Sequence, residues 1–155
     1  MKTDQNQVGG IEVLSEQQCR ELLASRDLGR IAFSVGEETE IFPVNYSTDG
    51  TIVIFRTGPG TKLRQSTAAR VAFEVDEWDV VKKVGWSVVL KGVAQALSFG
   101  SDPFATALRA RPVVPSAPGQ HDYWIAIYPA EISGRRFRGA QGYERAGDPR
   151  ALGTE

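Results

Sequence analysis

Several segments of the chain have the patterns of apolar residues that are typical of β-strands. Residues 30–35 and 71–76 alternate with a period of two, residues 40–46 are aromatic and β-branched, and residues 51–57 contain the apolar run Ile52-Val53-Ile54-Phe55. Residues 85–97 form a long predicted strand, and residues 123–129 and 131–137 supply one closing strand or two. Two turn sequences, Val35-Gly36-Glu37-Glu38 and Thr48-Asp49-Gly50, favour antiparallel hairpins, and Gly92 predicts a bend in the longest strand. We therefore predict about six strands in a closed or nearly closed barrel.

Short helices are expected between these strands. Ser15 is suited to be a helix N-cap, with Gln18 completing a capping box. This helix is expected to end near residues 27–29, where Gly29 can adopt a left-handed conformation. A second short helix is predicted at residues 61–68, and a third begins after Asp102. The chain is thus mainly β with short helices.

Length and composition favour one domain. The chain has 155 residues, which is enough to bury a core without metal or disulfide support. Residues 1–10 are polar and residues 139–155 contain almost no aliphatic side chains, so both segments are predicted to be mobile tails. The folded domain is expected to cover residues 11–138.

The charges and the rare residues exclude several functions. Eighteen basic residues against nineteen acidic ones provide no global positive field for nucleic acid or an anionic membrane. Cys19 and His121 are the only residues of their types, which excludes an intrachain disulfide and the usual zinc sites. The polar N-terminus has no apolar run of signal-peptide length, so a cytoplasmic protein is expected. His121, beside Asp122, is either an acid-base group or a structural residue.

The stretch from Phe55 to Lys62 carries the strongest chemical signal. A predicted strand ends in Arg56-Thr57, passes through Gly58-Pro59-Gly60, and enters a predicted helix at Thr61-Lys62. Backbone N–H groups, two hydroxyls and two cations at one point suit a phosphate. The alternative to a phosphate site is an ordinary turn whose basic side chains are solvated. The glycine fingerprints of P-loop and Rossmann proteins are absent from the sequence.

Aromatic and basic side chains near the strand ends are further candidates. Trp86 and Trp124 either belong to the core or stack on a flat cofactor ring. A basic cluster follows Gly134 and consists of Arg135, Arg136 and Arg138. Its arginines either lie on a solvated strand edge or reach an anion. Balanced charges and dispersed tryptophans disfavour a nucleic-acid-binding module.

In their order and spacing, these segments resemble the pyridoxamine phosphate oxidase-like family, the flavin-binding split barrels. The resemblance spans roughly residues 11–138 and rests on residues 14–15, 28–32, 41–46, 55–63, 71–76, 85–92 and 132–136. It implies a six-stranded antiparallel split β-barrel. It also implies a homodimer with two FMN sites at the subunit interface, each built from both chains.

The same resemblance implies roles for individual residues. The FMN phosphate and ribityl chain would contact Arg56, Thr57, Thr61 and Lys62. The isoalloxazine ring would lie beside Pro43, Val44 and Asn45, with Trp86 and Ser87 also at the site. The partner chain would contribute Trp124 and Arg135.

The implied activity is that of an FMN-dependent oxidoreductase acting on a small molecule that the sequence does not identify. The alternative is a non-catalytic carrier of flavin, deazaflavin or haem, and haem would require His121 as its axial ligand. True pyridoxamine phosphate oxidases use a basic C-terminal segment to bind their substrate. Because the chain after Arg138 lacks such a segment, vitamin synthesis is not expected.

Overall fold

The computed structural model describes residues 7–8, 10–65, 68–97, 107, 111–114, 119 and 123–139. Of the helix predicted after Asp102, residue 107 alone belongs to this part of the chain, where it is helical, and His121 lies outside it. Most of the two predicted tails also lies outside it. Within the N-terminal tail, Gln7–Val8 form a short strand.

Eight strands, one α-helix and one 3₁₀ turn make up the described structure. The strands are β1 (Gln7–Val8), β2 (Ile11–Val13), β3 (Leu28–Val35), β4 (Glu38–Thr48), β5 (Val53–Thr57), β6 (Ala69–Asp79), β7 (Val84–Ala96) and β8 (Tyr123–Arg138). The α-helix α1 covers Glu16–Ala24, and the 3₁₀ turn covers Lys62–Gln65. The long strands β3 to β8 are those that the pattern of apolar residues predicts.

Six of the strands close into an antiparallel barrel. They pair in the order β8-β5-β4-β3-β6-β7, and β7 pairs back onto β8. The two short strands β1 and β2 extend the sheet from the far end of β8, where Ile11 lies opposite Phe137. The predicted six-stranded barrel is therefore confirmed, with two further short strands added at its edge.

The closing segment is one strand rather than two, and its pairing with β7 contains a register shift of the kind that a β-bulge produces, beside Gly92. Residues 123–138 run without interruption along β7, and the register shifts between Lys91 and Gly92. A Cβ on Gly92 would lie 2.1 Å from the carbonyl oxygen of Tyr128. Only glycine permits this close approach of two backbones. The bulge thus lies at the residue where a bend was predicted, and a bulge is a feature that bends a strand.

The barrel interior is filled by aromatic and β-branched side chains, and α1 packs against it. Phe55 and Phe73 are fully buried, as are Cys19 and Leu23 from α1. The Tyr46 hydroxyl donates a hydrogen bond to the carbonyl oxygen of Leu23, which joins β4 to the helix. Burial of the Tyr46 ring raises the pKa of its hydroxyl well above the usual value.

The start of α1 follows the prediction, but its end does not. Ser15 and Gln18 form the predicted capping box, with the Ser15 amide donating to Gln18 Oε1 at 2.8 Å. The helix ends at Ala24 rather than near Gly29, which lies inside β3. A Cβ on Gly29 would lie 2.3 Å from the Phe73 ring, so packing accounts for this glycine. Among the described residues, no helix is long and apolar enough to cross a membrane.

Candidate functional site

The loop after β5 brings two predicted phosphate ligands into contact. The amide of Thr61 donates to the carbonyl oxygen of Gly58 at 3.4 Å, which folds the chain back on itself. The hydroxyls of Thr57 and Thr61 then share a hydrogen bond. Thr57 is only 5% exposed, although it is polar. The turn therefore places a pair of hydroxyls at the end of the strand.

The chain beyond this turn differs from the prediction. The sequence predicts a helix over residues 61–68, whereas the described residues of this stretch, 61–65 and 68, contain one 3₁₀ turn at Lys62–Gln65. One short turn cannot build the aligned peptide dipoles that make a helix N-terminus a strong anion site. Any anion bound here must be held mainly by side chains and individual amides.

Lys62 is held by two carboxylates from the start of β4. Its Nζ donates to Glu38 Oε2 at 2.9 Å and to Glu40 Oε1 at 2.7 Å. These hydrogen bonds, with that to Glu40 the larger effect, raise the pKa of the Lys62 ammonium above its usual value. Lys62 in turn lowers the pKa of the Glu38 carboxyl. The Lys62 side chain is 46% exposed, so the ammonium stays accessible to a solute.

An open cleft of about 290 Å³ lies beside this ion pair. We call it the Lys62 cleft, and its walls are Phe33, Glu40, Phe42, Gly60, Thr61 and Lys62. The rings of Phe33 and Phe42 meet edge to face, with their centroids 5.8 Å apart. The Lys62 cleft thus combines an apolar wall, a cation, a hydroxyl and a carboxylate.

Arg56 and Trp124 lie together on another face of the barrel. They are directly opposite each other in the pairing of β5 with β8. The Arg56 guanidinium carbon lies 5.4 Å from the centre of the Trp124 ring, a cation–π distance. Successive residues of a strand point to opposite faces, so Arg56 faces away from the buried Thr57. The four predicted phosphate ligands therefore do not converge on one face.

A second group of predicted residues surrounds Trp86. Its Nε1 donates to Glu77 Oε2 at 3.3 Å, and the Arg26 guanidinium carbon lies 5.8 Å from its ring centre. Arg26 also forms an ion pair with Glu77. The neighbouring Ser87 lies opposite Arg135 of β8. Ser87 and Arg135 therefore lie side by side, whereas the neighbouring Trp86 belongs to the core and faces the other side of the sheet.

The predicted ring-binding stretch of β4 divides between the two faces of the sheet. Val44 is buried in the core, whereas Pro43 is exposed and lies opposite Arg30. The amide Nδ2 of Asn45 donates to the carbonyl oxygen of Asp27 at 3.3 Å. A second open cleft, also of about 290 Å³, is lined by Arg26, Asp27, Leu28, Gly29, Arg30, Pro43 and Asp76.

The group around Trp86 is far from Thr61 and Lys62 within one chain. Trp124 and Arg135 lie on the same strand, and at about 3.3 Å per residue they are about 36 Å apart along it. Each marks a different end of β8, since Trp124 pairs with Arg56 and Arg135 pairs with Ser87. One chain therefore separates the predicted residues into two groups.

The profile of the pyridoxamine 5'-phosphate oxidase family matches residues 15–136, which is most of the chain and all six barrel strands. The chain belongs to this family. A family relative, the uncharacterized protein Rv0080 of Mycobacterium tuberculosis, is 35% identical over 130 residues, covering 80% of this chain and 84% of the relative.

Solved structures also resemble this family member. The FAD binding protein from Mycobacterium smegmatis is 36% identical, with a TM-score of 0.68 over 82% of this chain and 98% of that one. A Corynebacterium glutamicum protein provisionally designated a pyridoxamine 5'-phosphate oxidase is 32% identical, with a TM-score of 0.72. The match covers 87% of this chain and 98% of that one. The fold is therefore the antiparallel split barrel of this family.

Glu38 and Glu40 belong to the site, although no motif in the sequence singles them out. Their spacing of two residues on a strand does place both carboxylates on one face. Their pairing with Lys62, however, joins positions more than twenty residues apart and depends on how the loop after β5 folds back. Arg26 and Glu77, the partners of Trp86, were missed for the same reason.

Proposed function

We propose that this family member binds a flavin and acts as a flavin-dependent oxidoreductase. The observation that carries the proposal is the Lys62 cleft, where a cation and the Thr57–Thr61 hydroxyl pair adjoin an apolar wall. The FAD-binding relative from Mycobacterium smegmatis supports a flavin as the ligand. FMN is the smallest common flavin with a phosphate for this cleft.

The donor groups of the cleft fit a flavin tail. Thr61 and Lys62 supply an O–H and N–H groups at the cleft wall, and a Cβ on Gly60 would meet nothing within 4 Å. A phosphate can therefore approach the backbone there. Arg56, on the other face of β5, would add positive charge at longer range. When bound, the flavin supplies hydride or electron transfer, while the protein orients it and shields it from water.

The ring of the flavin is proposed to lie between two copies of the chain. A second copy would bring its own Trp86, Ser87 and Arg135 to the Lys62 cleft of the first, overcoming their separation within one chain. The outer face of β3 and β4 offers a surface for this contact, since Leu28 is 53% exposed and Ile41 is 66% exposed. Exposed apolar side chains on neighbouring strands are typical of an interface.

The proposed function is tested by absorbance titration of the purified protein with FMN, FAD, a deazaflavin, riboflavin and haem. We expect a flavin with a phosphate-bearing tail to bind at micromolar concentration and to perturb its visible spectrum. Reduction of the bound flavin by nicotinamide cofactors, followed by reoxidation with candidate acceptors, separates an oxidoreductase from a carrier. A protein that binds none of these flavins would contradict the proposal.

Replacing Ile41 by glutamate is expected to produce a monomer with at least about tenfold weaker flavin binding, because a charge would be buried at the proposed interface. Light scattering after gel filtration measures the mass, and titration measures the affinity. Val81→Glu is the matched control, since Val81 is 87% exposed on the β6–β7 turn. A dimeric Ile41→Glu protein with normal affinity would refute the shared site.

A further inference from the structure

We propose that Glu38 and Glu40 select the charge of the flavin tail, so that the Lys62 cleft accepts a phosphodiester in preference to a phosphomonoester dianion. The inference rests on the proposed function, because it assumes that the flavin tail lies in this cleft. It assigns a specificity role to two carboxylates that do not themselves resemble phosphate ligands.

The Lys62 ammonium has few N–H donors left for a ligand. A lysine ammonium has three N–H donors and no acceptor. Glu38 and Glu40 accept two of these hydrogen bonds, at 2.9 and 2.7 Å, which leaves one for a ligand. A tail held by one oxygen satisfies this arrangement. A monoester phosphate, with three unesterified oxygens, would need further donors in place of the carboxylates.

The net charge around Lys62 favours the same class of ligand. Two carboxylates against one ammonium leave this group of three side chains with one net negative charge. A phosphomonoester carries about −1.5 to −2 at pH 7, because its second pKa is about 6. A phosphodiester carries a single negative charge, so it meets less repulsion from the same carboxylates. Riboflavin, which is uncharged, meets none.

The two carboxylates are held beside the Lys62 cleft by the strand that carries them. Glu38 and Glu40 extend from β4, which is paired with β3 along its length in this region. Glu40 lines the cleft itself, and its side chain is 38% exposed. A ligand at Lys62 therefore lies close to Glu40 whichever way its tail turns. Two natural ligands place a singly charged phosphate next to the ribityl chain. One is a flavin dinucleotide, whose pyrophosphate carries one negative charge on each phosphate, and the other is a deazaflavin with a phosphodiester tail.

The test uses three ligands that share the isoalloxazine ring and ribityl chain and differ at the end of the tail. Riboflavin, the methyl ester of FMN and FMN carry about zero, one and two negative charges at the same position. In the wild-type protein, the methyl ester should bind more tightly than FMN. In the Glu38→Gln/Glu40→Gln protein, FMN affinity should rise about tenfold and that of the methyl ester about threefold, with riboflavin unchanged.

Controls separate this effect from general changes in charge or folding. Glu37→Gln is the control, because it removes a negative charge from the adjacent β3–β4 turn. Glu38→Gln and Glu40→Gln should each raise FMN affinity more than Glu37→Gln does. Glutamine preserves the shape of the side chains, and circular dichroism confirms that each variant is folded. Titration with FAD and with the deazaflavin then shows which of these two natural ligands binds more tightly.

The outcomes are distinct. Equal wild-type affinities for FMN and its methyl ester, with equal changes in the double variant, would overturn the charge selection while leaving flavin binding intact. Failure of all these ligands to bind would instead overturn the proposed function and, with it, this inference. Tighter FMN binding in the double variant, with riboflavin unchanged, would support both.

Discussion

Gly92→Ala is expected to lower the free energy of unfolding by about 3 kcal/mol, a large share of the 5–15 kcal/mol that is usual for a domain. The new Cβ would lie 2.1 Å from the Tyr128 carbonyl oxygen and 3.0 Å from Pro129 Cα. Both neighbours are backbone atoms of β8, which pairs with β5 and β7. Relief of the clash therefore requires the bulge itself to open.

Thermal and chemical denaturation measure this loss, which corresponds to a Tm lower by about 6–12 °C for a chain of this length. Gly60→Ala is the control, because a Cβ there meets nothing within 4 Å and the backbone is not left-handed. We expect its stability to stay within about 0.5 kcal/mol of the wild type. A Gly92→Ala protein as stable as Gly60→Ala would show that the bulge yields at little cost.

The barrel was predictable because its signals are local. Alternating or continuous apolar residues indicate each strand. Turn residues such as Asp49-Gly50 indicate which neighbouring strands pair. The start of α1 was predictable for the same reason, since both members of the capping box lie within four residues. The split-barrel identification then needed only the order of these local signals along the chain.

Features that depend on contacts between distant segments were not predictable in the same way. Gly29 matches a helix C-cap in sequence, yet it is required because the Phe73 ring of β6 packs onto it. The helix expected at residues 61–68 has only the 3₁₀ turn at Lys62–Gln65 in the described residues, where Lys62 pairs with carboxylates of β4. Tertiary contacts overrode local propensity at both places.

The candidate site was predictable as a set of residue types but not as an arrangement. The sequence places Arg56 and Thr57 side by side, whereas strand alternation turns them to opposite faces. It also places Trp86 and Arg135 far apart, whereas β7 and β8 bring this region together. The separation of these residues from Lys62 within one chain is what a site shared by two chains would require.

Lys62→Ala is expected to weaken FMN binding by about 10- to 100-fold, while riboflavin binding changes less than about twofold. The variant removes a charge-assisted donor to the phosphate and also leaves Glu38 and Glu40 without the ammonium that offsets them. FMN therefore loses an attraction and meets a stronger repulsion, whereas riboflavin has no phosphate to respond. Titration by absorbance or fluorescence gives both affinities in one assay.

Lys91→Ala is the matched control, because Lys91 is an exposed lysine on β7 that lines neither of the two clefts. It should leave both affinities unchanged. The decisive comparison places Lys62→Ala in the Glu38→Gln/Glu40→Gln background, where the loss of FMN affinity should be smaller, since no carboxylates remain to repel the phosphate. Equal losses for FMN and riboflavin would place the phosphate elsewhere. Equal losses in the two backgrounds would show that Lys62 acts on the phosphate independently of its carboxylate partners.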